Sequence, residues 1–313
     1  MSALARIAVI GAGMMGHGIA QCFAAGGHDV AVFDAFQANL ETLHARIRQN
    51  LRDLGEDAAA ANCVRACDRL SDAVADADLV IEAAAEDLGV KQELFKTIEG
   101  LARSDTVLAS NTSAIPISRI MEGLERRDRA LGAHWWNPAF LIPLVEIVET
   151  RWTSPDVVAR ALALHRSAGK TPVHVRKDVP GFIGNRLQHA LWREAIALVQ
   201  NGVCDAETVD TCVKASFGRR LAVLGPLENA DLVGTDLTAA IHKTLLVDLD
   251  RSAETQPYLL DLVASGRLGM KADQGFRSWT PEQKIDLQTR LIDHLKDARA
   301  RDRELRARAI EEN

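Results

Sequence analysis

The segment Gly11-Ala12-Gly13-Met14-Met15-Gly16 constrains this chain more than any other. It follows the apolar run Ile7-Ala8-Val9-Ile10 and leads into an Ala- and Met-containing stretch of helical character. A strand that turns through G-x-G-x-x-G into a helix is the opening of a dinucleotide-binding β-α-β unit. The first glycine permits the tight turn, and the second lets the backbone approach a pyrophosphate. The third packs the helix close to the strand, with its N-terminal N–H groups aimed at the phosphates. A second apolar run, residues 30–33, ends at Asp34, which lies 23 residues after Gly11. An acid near that spacing accepts from the adenosine ribose hydroxyls and repels a 2′-phosphate, so the pattern predicts NAD rather than NADP.

Further runs at 79–82, 106–110 and 129–134 continue the alternation with helical segments, one of them expected as a single helix over 39–52. This predicts an α/β fold: a Rossmann-type, doubly wound, mostly parallel sheet covered on both faces. Residues 144–148 follow the previous run through a short Pro-bounded loop, which predicts an antiparallel edge pair closing the sheet. The alternation stops at Lys177-Asp178-Val179-Pro180-Gly181. Beyond it, helical patterns at 182–200, 206–215, 237–249, 258–264 and 281–304 predict an all-α domain. The expected division is therefore 1–178, binding NAD, and 179–313, binding substrate and mediating a homodimer. The tail from 296 to 313 mixes 6 basic with 5 acidic residues and reads as a solvated helix face.

Composition sets outer limits. With 313 residues, 47% of them hydrophobic and 26% charged, the chain suits two globular domains. A net charge of −6 counts against a nucleic-acid partner. No apolar run reaches the ~18 residues of a membrane span, and the first residues lack the pattern of a signal peptide. Five cysteines cannot all pair internally and none forms C-x-x-C, so a reducing, cytoplasmic setting is expected. The histidines show no metal-ligand spacing, and no metal site is expected.

Taken in order, the motifs IAVIGAGMMG (7–16), EAAAEDLGVKQELF (82–95), SNTS (110–113), HWWNPAFLIPLVEIV (134–148), VPGFIGNR (179–186) and GPLENADLVGTD (225–236) form a specific set. With them the chain resembles the 3-hydroxyacyl-CoA dehydrogenase family over nearly its whole length. The resemblance implies that His134 is the catalytic base, paired with Glu146, and that Ser113 and Asn185 flank the substrate as further catalytic positions. It also implies that Glu86, Lys91 and Asn111 lie on the nicotinamide side of the cofactor, with Met14 and Met15 in its glycine loop, and that Asn137 contacts substrate.

The residue chemistry agrees. Oxidising a secondary alcohol needs a base for the hydroxyl proton, and imidazole titrates near working pH. A carboxylate on its other ring nitrogen fixes the tautomer and stabilises the imidazolium. Glu146 sits in an otherwise apolar strand, where an unpaired carboxylate is costly. Taken alone, His134 reads as a structural core histidine and Glu146 as a lone strand-face charge, and the cofactor motif upstream tips the balance to catalysis; helix caps are the competing reading of Ser113 and Asn185.

Some positions depart from the acyl-CoA members. The stretch 36–70 has no lysine, where those members carry a lysine-rich excursion that meets CoA phosphates, and the aromatics after the base are Trp135-Trp136 instead of phenylalanines. Arg220 stands where the free-acid branch, with gulonate 3-dehydrogenase (lambda-crystallin) and carnitine dehydrogenase as members, carries an arginine. The segment around Lys177–Phe182 also resembles a bacterial pyridine-carboxylate dehydrogenase. These features lean towards a small hydroxy acid with a free carboxylate held by Arg220; a 3-hydroxyacyl-CoA substrate is the alternative. Two other classes compete. A 6-phosphogluconate-type dehydrogenase or imine reductase would carry its catalytic group, often a lysine, on the first helix of the second domain, where this chain has none. A non-catalytic, crystallin-like NAD-binding role would not require His134, Glu146, Ser113 and Asn185 together.

Overall fold

The computed structural model describes residues 4–311. Eight strands, β1 (Arg6–Ile10), β2 (Asp29–Phe33), β3 (Val64–Cys67), β4 (Leu79–Glu82), β5 (Val107–Ser110), β6 (Ala130–Trp135), β7 (Leu144–Val148) and β8 (Thr171–Val175), form one sheet. Its order is β3-β2-β1-β4-β5-β6-β7-β8. Every neighbouring pair is parallel except β6 with β7. Helices α1 (Gly16–Ala25), α2 (Gln37–Glu41), α3 (Leu43–Asp53), α4 (Leu70–Val74), α5 (Leu88–Leu101), α6 (Ile117–Met121) and α7 (Pro155–Ser167) connect the strands. This is the Rossmann-type, doubly wound architecture, followed by helices α8 (Gly184–Gln200), α9 (Ala206–Ala215), α10 (Pro226–Val233), α11 (Thr235–Leu245), α12 (Pro257–Ala264) and α13 (Pro281–Glu311).

Central strands are apolar throughout because both faces are covered: β4 and β5 are buried at every position. One core lies on each side of the sheet, one built around Phe23, Ile47 and Leu79, the other around Phe95, Ile98 and Met121. Each such side chain contributes ~1.5–3 kcal/mol on full burial, which suffices to hold the sheet.

The sheet corrects the expected edge. β7 is antiparallel to β6, but it is not the rim, because β8 pairs outside it in parallel. Its sequence, Thr171-Pro172-Val173-His174-Val175, is only half-buried, and Pro172 is tolerated there because one side of an edge strand needs no N–H. β3, at the other rim, likewise exposes its two middle residues. Edge strands therefore lack the apolar signal that marks central ones. The single helix expected over 39–52 is broken at Thr42, whose hydroxyl donates back to the carbonyls of Ala38 and Asn39. The charged tail is not wholly solvated: Arg299 donates to Glu56 at 2.5 Å and Arg303 bonds the same carboxylate.

The described residues fall into two compact units, residues 4–185 with 292–311, and residues 186–291. In the second, only Ala197, Gln256, Leu262 and Gly275 are buried among the described residues. Its helices carry exposed apolar stripes, Leu187 and Leu191 on α8, Leu237, Ile241 and Leu245 on α11.

Candidate active site

Strand order reverses between β1 and β4, and in open α/β sheets ligands bind outside the carboxyl ends of the strands at such a point. The glycine loop occupies that place. Gly11 has φ 103°, and a Cβ there would come within 2.5 Å of the Ala83 carbonyl oxygen. A Cβ on Gly16 would lie 1.7 Å from the Gly11 oxygen, so this glycine lets α1 begin directly against the turn. Gly13 differs: a Cβ would meet nothing within 4 Å. The fold itself does not require a glycine there, but a cofactor approaching the backbone does. Met14 beside it is exposed and Met15 half-buried.

Asp34 ends β2 with its carboxylate facing the same loop. Oδ2 accepts from the Ala12 amide at 2.6 Å and from Asn39 Nδ2 at 3.0 Å, and Oδ1 accepts from the Phe36 amide at 2.8 Å. These bonds fix the carboxylate just after β2, beside the glycine loop. The open approach at Gly13 and the anchored Asp34 fit a bound NAD.

A buried polar cluster lies at the ends of β4 and β5. Lys91, 1% exposed, donates to Glu82 Oε1 at 2.6 Å and lies 3.4 Å from Glu86 Oε2. Glu82 Oε2 accepts from Ser110 Oγ at 2.6 Å. Both charges are thus paired and hydrogen-bonded, the condition under which buried ions are tolerated. Glu86 Oε1 accepts from the Thr112 hydroxyl at 2.6 Å and the Ser113 amide at 3.0 Å. Burial pushes the Glu86 carboxyl up, but Thr112, Lys91 and Ser113 outweigh it and hold it below its ordinary value. Glu86 is half-exposed, whereas Lys91 is buried.

β6 and β7 place His134 directly opposite Glu146 in antiparallel register. His134 Nδ1 bonds Glu146 Oε2 at 2.8 Å. Glu146 Oε1 accepts from the Ile183 and Gly184 amides at 2.8 and 3.1 Å, and the Trp136 indole N–H donates to Oε2 at 3.4 Å. Burial raises the Glu146 carboxyl, but the bonds from His134, Gly184 and Ile183 outweigh it and hold it below its ordinary value. The two amides are presented by a turn in which Phe182 adopts φ 51°, rare for a bulky residue and costing ~1–3 kcal/mol. Its ring is 1% exposed and lies 5.4 Å from the His134 ring, centroid to centroid. No protein group meets His134 Nε2 among the described residues.

Ser113, exposed, and Asn185 are brought together: Asn185 Nδ2 donates to the Ser113 carbonyl at 3.0 Å. Asn111 Oδ1 accepts from the Trp135 amide at 2.8 Å, tying the end of β5 to that of β6. Asn137 is exposed in the β6–β7 loop. Arg220 lies in the second unit, exposed, after a short 3-10 turn at Phe217–Arg219. No group of three His, Cys, Asp or Glu residues suited to a metal occurs among the described residues.

Sequence reasoning missed several groups. Glu82 is a carboxylate ending an apolar strand, the same signal that picked out Glu146, and it could have been read the same way. Asp178 was noted only as part of the boundary segment, yet its carboxylate caps α6 through the Ile117 and Ser118 amides at 3.1 and 2.7 Å. The Trp136 indole contact had no sequence signal.

A doubly wound sheet with a glycine-rich loop at its switch point is the architecture of an NAD-dependent dehydrogenase, and the same sheet carries the buried His134–Glu146 pair. Comparison with known proteins agrees. Residues 6–179 match the family model for the 3-hydroxyacyl-CoA dehydrogenase NAD binding domain, and 181–279 match that for the 3-hydroxyacyl-CoA dehydrogenase C-terminal domain. The chain belongs to the 3-hydroxyacyl-CoA dehydrogenase family. It is 39% identical over 290 residues to 5-formyl-3-hydroxy-2-methylpyridine 4-carboxylate 5-dehydrogenase of Mesorhizobium japonicum, covering 90% of this chain and 93% of that one. It is 33% identical over 280 residues to 3-hydroxybutyryl-CoA dehydrogenase of Clostridioides difficile, covering 87% and 98%. A crystal structure of a 5-formyl-3-hydroxy-2-methylpyridine 4-carboxylic acid 5-dehydrogenase, described as an NAD+-dependent dismutase, superposes with TM-score 0.87 at 37% identity, covering 95% of this chain and 98% of that one.

Proposed function

We propose that the protein oxidises the hydroxyl of a small hydroxy acid with a free carboxylate to the carbonyl, using His134 as base. The observation that carries this reading is the buried His134–Glu146 bond of 2.8 Å, with Nε2 left without a protein partner. His134 Nε2 takes the hydroxyl proton, and the ionised Glu146 stabilises the imidazolium that results. NAD, when bound, supplies the hydride acceptor. Gly11, Gly13, Met14, Met15, Gly16 and Asp34 hold its adenosine and pyrophosphate half. Glu86 and Asn111 serve the nicotinamide side, and Lys91 serves it from beneath by fixing Glu86. Ser113, Asn137 and Asn185 face the substrate.

We assign the substrate carboxylate to Arg220, five residues before Gly225-Pro226. A guanidinium holds a carboxylate through two parallel hydrogen bonds, and a thioester offers no such charge. The pyridine-carboxylate relative, a free-acid enzyme by its name, supports the same class. The acyl-CoA reading has its own support in the 3-hydroxybutyryl-CoA dehydrogenases matched over 87% of this chain. We divide the function at residue 178: cofactor binding before it, substrate binding and homodimer formation from 179 onwards. The dimer rests on the second unit, whose helices bury almost nothing by themselves. The five unpaired cysteines support a cytoplasmic setting.

His134→Gln tests the base. We expect kcat to fall ~10²–10⁴-fold with NAD affinity nearly intact, measured by NADH formation and by calorimetry. An active His134→Gln enzyme would require another base. Wild-type protein that binds NAD and turns over no hydroxy acid or acyl-CoA would favour the non-catalytic role.

A further inference from the structure

The α3 residue Arg46 reaches back to the glycine loop. Its Nη2 donates to the Ala12 carbonyl at 2.7 Å and to the Asn39 carbonyl at 2.8 Å, and Nη1 donates to the Gly13 carbonyl at 3.4 Å. The Gly13 carbonyl also accepts from His17 Nδ1 at 2.8 Å, which fixes the His17 tautomer with its proton on Nδ1. A trans peptide is planar, with its C=O and N–H pointing to opposite sides. Drawing the Ala12 and Gly13 carbonyls towards α3 therefore turns the amide N–H groups of Gly13 and Met14 the other way. No protein acceptor meets either amide among the described residues. A Cβ on Gly13 would meet nothing within 4 Å.

From this geometry we infer that Arg46, assisted by His17, is a positioning residue for the cofactor's pyrophosphate: it orients the Gly13 and Met14 amides as donors to an anion. The inference rests on NAD as the cofactor and adds a residue outside the G-x-G-x-x-G segment. Asn39, whose backbone carbonyl Arg46 holds, also donates through its side chain to Asp34, but Asp34 is held independently by the Ala12 and Phe36 amides. Methionine could fill the same space but could not hold the carbonyls. Lysine could reach one carbonyl at a time, because an ammonium lacks the planar fork. Burial lowers the His17 imidazole, so it donates as the neutral ring; burial also lowers the Arg46 guanidinium, with Asp34 opposing, but a guanidinium stays cationic in proteins.

Calorimetry of the apo-protein separates orientation from general loosening. ADP-ribose carries the pyrophosphate and adenosine does not. In Arg46→Met, ADP-ribose should bind ~10-fold more weakly while adenosine affinity stays within about twofold, with Arg46→Lys intermediate. His17→Ala should weaken ADP-ribose ~3-fold and leave adenosine unchanged. If Arg46→Met does not fold, the His17→Ala and Arg46→Lys pair decides by the same contrast. Unchanged ADP-ribose binding, or equal weakening of both ligands, overturns the proposal. Wild-type protein that binds neither ligand overturns the cofactor reading as well.

Discussion

Residues 4–185 and residues 186–291 differ sharply in how much of themselves they bury. The sheet unit has cores on both faces, paired buried charges and a buried His134–Glu146 pair assembled from its own strands. The helical unit buries four of its residues and leaves leucines and isoleucines in exposed rows. An amphipathic helix gains most of its stability from covering its apolar face. The first region therefore contains its own buried polar pairs, while the second leaves its apolar rows exposed.

Three results would break or sharpen this contrast. The largest effect is expected at Arg220. Arg220→Met should raise KM for a free hydroxy acid ~10²-fold, or ~2–3 kcal/mol, with NAD affinity unchanged, as read by steady-state kinetics. Loss of NAD binding in that variant would mean the helical unit does more than meet substrate. Next comes Asp34→Ala, expected to weaken NAD ~10-fold and narrow its advantage over NADP, measured as the ratio of kcat/KM for the two cofactors. Equal use of both by the wild type would dismiss the ribose assignment. The smallest is a twofold change in mass: sedimentation should show a dimer at micromolar concentration, shifted towards monomer by Leu191→Asp or Ile241→Asp. A monomeric wild type would leave the exposed rows unexplained.

The sheet's centre was legible because fully buried parallel strands are written as unbroken apolar runs. Its rims were not. β8 begins Thr171-Pro172 and looks like a loop, and β3 exposes Arg65 and Ala66, so neither carries that signal. The His134–Glu146 pairing was readable because a short loop forces adjacent antiparallel strands, and register then sets the two residues opposite. The supports around it came from other places in the chain. The amides of Ile183 and Gly184, presented by the strained Phe182 turn, meet Glu146 across 37 and 38 residues of sequence. Arg46 meets the glycine loop across 34. Contacts at such separations are set by tertiary packing, and no local pattern announces them.

NAD-linked oxidation of 3-hydroxybutyryl-CoA, compared side by side with a panel of free hydroxy acids that includes pyridine carboxylates, tests the central claim most directly. A free-carboxylate dehydrogenase should show kcat/KM at least ~10²-fold higher for its best free acid, the discrimination one desolvated charge pair provides. A higher kcat/KM for 3-hydroxybutyryl-CoA would contradict it and return the enzyme to the acyl-CoA branch.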